Sequence, residues 1–147
     1  MRAAARGWCN IGPMSPSTPC PCGRTDAKGR VLPLAQCCGR YLGHFHSTPA
    51  PDAPSLMRSR YSAFTLRDRD YLLATWHERT RPAVLDFDDG AKWLGLEVRD
   101  ARDIDATHAE VEFVARYRVG GRAVRLHERS RFVREGGRWF YVDGDMR

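Results

Sequence analysis

Four cysteines near the amino terminus occur as two close pairs whose spacing suits a bound metal ion. Cys20 and Cys22 flank a proline, Cys37 and Cys38 are adjacent, and fourteen residues separate the two pairs. Four thiolates are a ligand set that Zn²⁺ takes in structural sites, in a tetrahedron with Zn–S distances of about 2.3 Å. Four protein ligands leave no open position for water or substrate. The pattern therefore predicts one structural zinc ion and no catalysis at the metal.

A disulfide is a weaker interpretation of these cysteines than a metal site, on physical grounds. Adjacent cysteines such as Cys37 and Cys38 have poor geometry for a mutual disulfide, and the segment before them lacks the apolar core of a secretory signal. Two alternatives stay open: four reduced cysteines without a metal, and His44 or His46 in place of one thiolate. Metal binding would explain how so short a segment folds, because structural zinc contributes an apparent ~10–16 kcal/mol. Cys9 is left over.

The prolines divide the chain into a loop-rich first third and a body. Eight of the nine prolines lie within residues 13–54. We expect a flexible tail, a cysteine module, a linker and an α+β domain, over residues 1–19, 20–43, 44–52 and 53–147. Whether Met1 or Met14 starts the protein stays open.

The composition is that of a globular protein with a basic balance. Of 147 residues, 42% are hydrophobic, the mean hydropathy is -0.54, and the formal net charge is +6. No run approaches the roughly 18 apolar residues of a membrane helix, so we expect a soluble, cytoplasmic protein that does not enter membranes. The basic balance permits anionic partners such as nucleic acid, but arginines scattered without a stripe are weak support for them.

Two helices are expected at the start of the body. Asp52 or Ser55 can cap the first, with Pro54 tolerated in its first turn, and apolar residues then recur at helical spacing. A break is expected around residues 65–67. Asp68 can cap a second helix immediately after it.

The second half alternates apolar and polar residues, as antiparallel strands do. Strands are expected from Trp93 toward Ile104 and over residues 107–119, 122–134 and 138–143. Gly120-Gly121 and Gly136-Gly137 are two-residue turn signals, and they fix a testable register. Around the first turn the facing pairs are Phe113–Glu128, Glu112–Arg129, Glu110–Arg131 and Arg116–Arg125. Around the second they are Phe132–Tyr141 and Ser130–Asp143. The two Glu–Arg pairs support this register, whereas the pair of arginines opposes it.

This register places polar residues on an otherwise apolar sheet face, where an unpaired carboxylate is costly. Two helices on a curved sheet commonly leave a cavity, so these residues are candidates for a pocket lining. The candidates are Arg58, Arg60, Tyr61, Trp76, His77, Glu128, Ser130, Tyr141 and Asp143. The alternative is a buried network in which Glu128 pairs with Arg58 or Arg60 for structure alone. The sequence has no nucleophile elbow, phosphate loop or open metal site, so we assign no catalytic residue.

The cysteine pattern resembles a known zinc motif. Residues 20–23 (CPCG) and 37–39 (CCG) resemble the SEC-C motif, the zinc-binding tail of the SecA translocase. The resemblance implies Cys20, Cys22, Cys37 and Cys38 as the zinc ligands. This chain departs from the usual spacing by extra residues around 26–30, which leaves the ligands intact but alters the loop through which the motif would contact a partner.

The body resembles the YchJ family over most of its length. The matching stretches are LMRSRYSAF at 56–64, WLGL at 93–96, ERSRF at 128–132 and the residues from Trp139 to Gly144. The resemblance implies a nuclear transport factor 2-like, cystatin-like roll, in which helices pack on a curved antiparallel sheet. It implies no particular activity.

Three functional hypotheses follow. The first is an adaptor that contacts a protein or ribosomal partner through the zinc module. The second is a small-ligand-binding protein or an enzyme that uses the cavity, with His77 as a general base. The third is RNA binding by arginines of the outer sheet face, namely Arg116, Arg125, Arg129 and Arg131, although that face lacks the aromatic platforms such binding normally uses. A homodimer formed through an exposed sheet face stays open.

Overall fold

The computed structural model describes residues 18–87 and 90–147. Within these ranges, two helices precede a four-stranded antiparallel sheet whose spatial order is the chain order. The helices are α1 (Ala53–Leu66) and α2 (Arg69–Ala74), and the strands are β1 (Lys92–Asp103), β2 (His108–Val119), β3 (Arg122–Glu135) and β4 (Arg138–Met146). The predicted roll of helices on a sheet is confirmed. The leftover Cys9, Met14 and most of the predicted tail lie outside the described residues.

The helix boundaries follow from capping chemistry. The Asp52 carboxylate accepts a hydrogen bond from the Ser55 amide at 2.8 Å, which satisfies one of the free N–H groups at the start of α1. Arg67 ends α1 in the left-handed conformation, at φ 59°. Asp68 then caps α2 by accepting from the Tyr71 amide at 3.1 Å. The break between the helices therefore lies where the sequence predicts it.

The predicted register of the β2–β3 hairpin is confirmed at every pair, from Val119 opposite Arg122 to Glu110 opposite Arg131. Arg116 does face Arg125, and an acidic residue on the neighbouring strand partly offsets the repulsion between them. Glu97 of β1 lies 3.8 Å from the Arg116 guanidinium. A third strand thus supplies the countercharge that the hairpin alone lacks.

The β3–β4 register is right at the turn and wrong beyond it. Phe132 faces Tyr141 as predicted, but Ser130 faces Gly144 and not Asp143. Val142 is an extra residue on β4, a β-bulge that shifts the pairing by one position. The strand also continues to Met146, three residues beyond its predicted end at 143.

The cysteine module packs on the body rather than standing apart from it. Its four cysteines belong to the same buried apolar cluster as Leu56 of α1. Arg58 of α1 donates a hydrogen bond to the Cys22 carbonyl oxygen at 3.2 Å, and Arg24 of the module donates to Ser55 Oγ at 3.4 Å. Through these contacts α1 lies between the module and the sheet. Among the described residues, none of the helices has the length and apolar character needed to cross a bilayer.

Candidate functional site

The four predicted ligands converge. The Sγ atoms of Cys20, Cys22, Cys37 and Cys38 all lie within 4.8 Å of one another, and all four residues are buried. The Sγ of Cys22 is 3.6 Å from the Sγ of both Cys20 and Cys37, far beyond disulfide bonding distance, and all four are free thiols. A tetrahedron with Zn–S distances of 2.3 Å has edges of about 3.8 Å. The four sulfurs are therefore close enough together to hold one tetrahedral metal ion.

Short-range hydrogen bonds hold the two pairs in place. The Gly23 amide donates to the Cys20 carbonyl oxygen at 3.1 Å, closing the turn that carries the first pair. The second pair lies where two single-turn 3₁₀ helices meet, Leu34–Gln36 and Cys38–Arg40. Gly39 is required there, since a Cβ at this position would lie 2.6 Å from the Leu34 carbonyl oxygen. The glycine after the second pair thus permits close packing of the two turns.

The electrostatics of the cluster favour a bound cation. Hydrogen bonds from Cys22, Cys37 and Cys38 lower the pKa of the Cys20 thiol. The same bond with Cys20 raises the pKa of Cys22, but Cys37 and Cys38 outweigh it and bring that pKa to about 7. Hydrogen bonds with Cys20 and then Cys22 raise the pKa of both Cys37 and Cys38. A divalent cation relieves this competition for protons by binding all four sulfurs as thiolates.

The extra residues around 26–30 form an ordered hairpin tip. Asp26 Oδ1 accepts hydrogen bonds from the amides of Lys28 and Arg30, at 2.8 and 3.0 Å. Gly29 has a φ of 80°, which the tight turn needs. The side chains of Lys28, Arg30 and Val31 are exposed at this tip. Arg30 Nε also donates to Asp26 Oδ2 at 3.1 Å, so the longer loop is a defined protrusion whose net positive charge comes from Lys28.

A second candidate site is a cavity of about 430 Å³ between α1 and the sheet. Nine aromatic side chains line it: Tyr61, Phe64, Trp76, Phe87, Trp93, Phe113, Tyr117, Phe132 and Tyr141. Its volume and apolar walls are in the range of small-molecule sites, roughly 300–1,000 Å³. Of the predicted lining residues, six reach it: Arg60, Tyr61, Trp76, Glu128, Ser130 and Tyr141.

Glu128 places a carboxylate in the cavity wall. Its Oε2 accepts hydrogen bonds from Ser130 Oγ at 2.6 Å and from the Tyr141 hydroxyl at 3.1 Å. Gly144 makes room for it, because a Cβ there would collide with the Glu128 side chain. Burial, followed by the Glu128 charge, raises the pKa of Tyr141, so the phenol stays protonated and keeps donating.

Arg60 is the buried cation of the cavity, at 5% exposure. Its Nη1 donates to the Leu72 carbonyl oxygen at 2.8 Å and to Thr75 Oγ1 at 2.7 Å. Its guanidinium carbon lies 5.0 Å from the Trp76 ring centroid and 4.6 Å from that of Tyr141. Burial lowers the pKa of Arg60 to about 10, so it remains charged at neutral pH.

The other three predicted lining residues lie elsewhere. Arg58 points to the cysteine module. His77 is buried and its Nε2 lies 2.9 Å from a Glu135 carboxylate oxygen, away from the cavity. Asp143 is on the outer sheet face, where it accepts from Arg131 Nε at 2.7 Å. The bulge at Val142 causes this last change, because one extra residue turns the following side chain to the opposite face.

Three of the four outer-face arginines considered for RNA binding have acidic neighbours, namely Arg116, Arg129 and Arg131. Arg129 bonds to Glu110 at 2.7 Å and Glu112 at 3.0 Å, and Arg131 bonds to Asp143 and Asp145, each at 2.7 Å. These pairs compensate the charges of Arg129 and Arg131, whereas the exposed Arg125 has no ion pair among the described residues.

Sequence reasoning missed two supporting positions. Thr75 ends α2 and holds Arg60 through its hydroxyl, and Gly144 clears space for Glu128. A glycine within a strand pattern often marks such a close approach, and this signal was available at Gly144.

Comparison with known proteins supports this description. Residues 52–144 match a protein family described as "YchJ, middle NTF2-like domain". A UPF0225 protein of Polaromonas sp. is 68% identical over 133 residues, covering 90% of this chain and 96% of the relative. A UPF0225 protein of Methylibium petroleiphilum is 57% identical over 129 residues, covering 87% and 88%.

Two solved structures share the arrangement. The solution structure of a SEC-C motif containing protein from Rhodopseudomonas palustris superposes with a TM-score of 0.71 at 32% identity, covering 87% of this chain and 98% of that one. The crystal structure of a SEC-C motif containing protein from Psychrobacter arcticus gives 0.74 at 29% identity, covering 88% and 84%.

Proposed function

This chain belongs to the YchJ family, and we propose that it is a zinc-containing adaptor, whose closed metal site shapes a surface module that contacts a protein or ribosomal partner. The observation that carries the proposal is the cluster of four buried sulfurs within 4.8 Å of one another. A metal enclosed by four thiolates has no open position for chemistry, so its role is to fix the shape of the segment around it.

Zinc is the metal that the ligand set favours. Thiolates are soft ligands, and a tetrahedral set of four selects Zn²⁺ or an iron–sulfur centre over magnesium or calcium. Adjacent Cys37 and Cys38 place two sulfurs on one short turn, which suits a single ion. The likeness to SEC-C motif containing proteins supports the same choice. Bound zinc would also change the net charge from +6 to about +4, since four thiolates and one Zn²⁺ carry -2.

Elemental analysis tests the metal. We expect one zinc and less than about 0.1 iron per chain in protein purified without chelator. Replacing zinc by cobalt should give the intense visible bands of tetrahedral thiolate coordination. Protein with Cys9→Ser should retain both properties, because Cys9 is not one of the four ligands. Iron in place of zinc would refute the assignment, and so would folded protein that contains neither metal.

The partner-contacting surface that we propose is the basic hairpin tip. Lys28, Arg30 and Val31 are exposed, whereas hydrogen bonds of Arg24 and Arg58 join other parts of the module to α1. The Asp26 turn pre-orders the tip, so little conformational entropy is lost when a partner binds it. Its positive charge suits an acidic protein surface or ribosomal RNA.

Cosedimentation with purified bacterial ribosomes and a cross-linked pull-down test this surface. The double variant Lys28→Glu/Arg30→Glu should lose the captured partner. The matched control is Arg122→Glu/Arg125→Glu, which reverses two exposed arginines on β3. Partner sets that are identical for the wild type and the tip variant would count against an adaptor function through this module.

A second candidate function is small-ligand binding in the cavity. It is favoured by one specific observation: the apolar cavity also exposes a buried guanidinium and a carboxylate, from Arg60 and Glu128. Binding sites typically combine apolar walls with a few such polar groups.

A further inference from the structure

We propose that the cavity binds small apolar or aromatic monocarboxylates, with the ligand carboxylate held by the free edge of Arg60 and by the indole N–H of Trp76. This inference rests on the second candidate function, namely that the cavity takes a ligand. It adds the chemical class of that ligand and the groups that recognise it.

Hydrogen bonds to protein atoms anchor only one of the three guanidinium nitrogens of Arg60. Both of its hydrogen bonds to protein use one nitrogen, Nη1, which donates to Leu72 and Thr75. Its Nε and Nη2 donate to no protein atom in the described ranges. These two nitrogens form one edge of the planar guanidinium, and their parallel N–H groups match the two oxygens of a carboxylate. The fold thus fixes the back of Arg60 and leaves its bidentate edge available.

Among the described residues, no carboxylate bonds to the Nε–Nη2 edge of Arg60. Glu128 is the acidic neighbour whose charge acts on Arg60, yet its hydrogen bonds go to Ser130 and Tyr141. Within the described residues no Asp or Glu oxygen lies within ion-pairing distance of Arg60. A buried charge without a direct ionic partner is costly unless a ligand supplies one.

The indole N–H of Trp76 is an independent hydrogen-bond donor in the same cavity. Trp76 Nε1 is buried and has no hydrogen-bond partner among the described residues. The Trp76 ring lines the cavity and lies 5.0 Å from the Arg60 guanidinium carbon. A buried N–H without an acceptor has lost the hydrogen bond that it would make with water. A ligand oxygen bound at Arg60 would meet this donor as well.

The walls of the cavity determine which chemical groups suit the rest of the ligand. Tyr61, Phe64, Trp93 and Phe113 provide aromatic surface around the remainder of the 430 Å³. Two arginines and two acidic residues are among the lining residues, Arg60 and Arg67 with Asp86 and Glu128, so the lining has no formal net charge. Glu128 already accepts from Ser130 and Tyr141, so the pole without a carboxylate partner is the one at Arg60, and a ligand with a single negative group and an apolar body fits it.

Calorimetric titration with acid and amide pairs tests the inference. The pairs are phenylacetate and phenylacetamide, 2-naphthoate and 2-naphthamide, and octanoate and octanamide. We expect at least one acid to bind about 10- to 100-fold more tightly than its amide, as a charge-assisted bidentate pair requires. Arg60→Met should remove this preference while the protein keeps its circular dichroism spectrum. An apolar residue of similar length can replace a buried charge without loss of stability.

Two controls separate the possible failures. Arg131→Met removes an arginine that is ion-paired on the outer face, and it should bind acids as the wild type does. Ala115→Leu fills the cavity from a buried lining position and should abolish binding of every ligand. Equal binding of acids and amides, blocked by Ala115→Leu, would overturn the carboxylate class and keep the ligand-binding function. Failure of all six compounds to bind the wild type would overturn both.

Discussion

Replacing Cys22 with serine is expected to abolish stoichiometric metal binding and to lower the free energy of unfolding by more than about 4 kcal/mol. Cys22 is completely buried, and its Sγ lies 3.6 Å from two of the other sulfurs. A serine hydroxyl is a poor ligand for a soft site, so the remaining three thiolates lose their shared ion. They are then left as mutually repelling groups in a buried cluster.

The loss is expected to reach beyond the module. Cys20 Sγ is 3.6 Å from Ser62 Oγ of α1, and Arg58 of α1 bonds to the Cys22 carbonyl oxygen. Disorder in the module therefore removes contacts from the helix that also packs against the sheet. Urea unfolding followed by far-ultraviolet circular dichroism measures the effect, and chelation of the wild type at low denaturant should reproduce it. The Cys9→Ser protein serves as the control and should unfold as the wild type does. A midpoint for Cys22→Ser equal to that of the wild type would show that the metal does not stabilise the fold.

The convergence of the four cysteines was predictable because the information for it is local. Two short turns, each with two cysteines and a glycine, converge with only a brief segment between them. Few backbone paths can join two such turns without bringing the sulfurs together. The β2–β3 register was equally accessible, since a two-residue glycine turn fixes the pairs that follow it when no bulge interrupts the ladder.

The β-bulge on β4 could not be predicted in the same way. Gly144 lies two residues beyond Val142 and does not locate the bulge, because the shift depends on how β4 packs beside β3 and against the segment after α2. The Tyr141 amide donates to the Thr75 carbonyl oxygen, and the His77 amide donates to that of Tyr141. These long-range bonds pair Tyr141 with the neighbourhood of Trp76, a contact that no local pattern encodes. The predicted register lacked the extra residue Val142, and it therefore placed Asp143 on the wrong face of the sheet.

The two arginines of α1 show where stricter reasoning was available. Arg58 and Arg60 are two positions apart, and residues at this spacing point about 200° apart around a helix. They cannot both face one cavity. The structure assigns Arg58 to the cysteine module and Arg60 to the cavity. Which of them faces which side depends on the packing of α1, because both sides of the helix are covered.

Replacing Trp93 with alanine is expected to destabilise the domain by about 3–5 kcal/mol. Trp93 lies at the start of β1 and joins the sheet to α1 at the wall of the cavity. Its ring contacts Tyr61 and Phe64 of α1, with centroid distances of 5.5 and 5.8 Å, and Tyr117 of β2 at 4.9 Å. Each such aromatic pair contributes roughly 0.5–1.5 kcal/mol beyond the area it buries. Alanine removes all three contacts at once.

The adjacent residue provides a matched control for Trp93. Leu94 is 45% exposed, so Leu94→Ala should cost no more than about 0.5 kcal/mol. Trp93→Phe should fall between the two, because a smaller ring keeps part of the contact with Tyr117. Denaturant unfolding of the three variants measures the series. Equal losses for Trp93→Ala and Leu94→Ala would contradict the arrangement in which one aromatic cluster couples α1, β1 and β2, since the ring would then contribute no more than an exposed leucine.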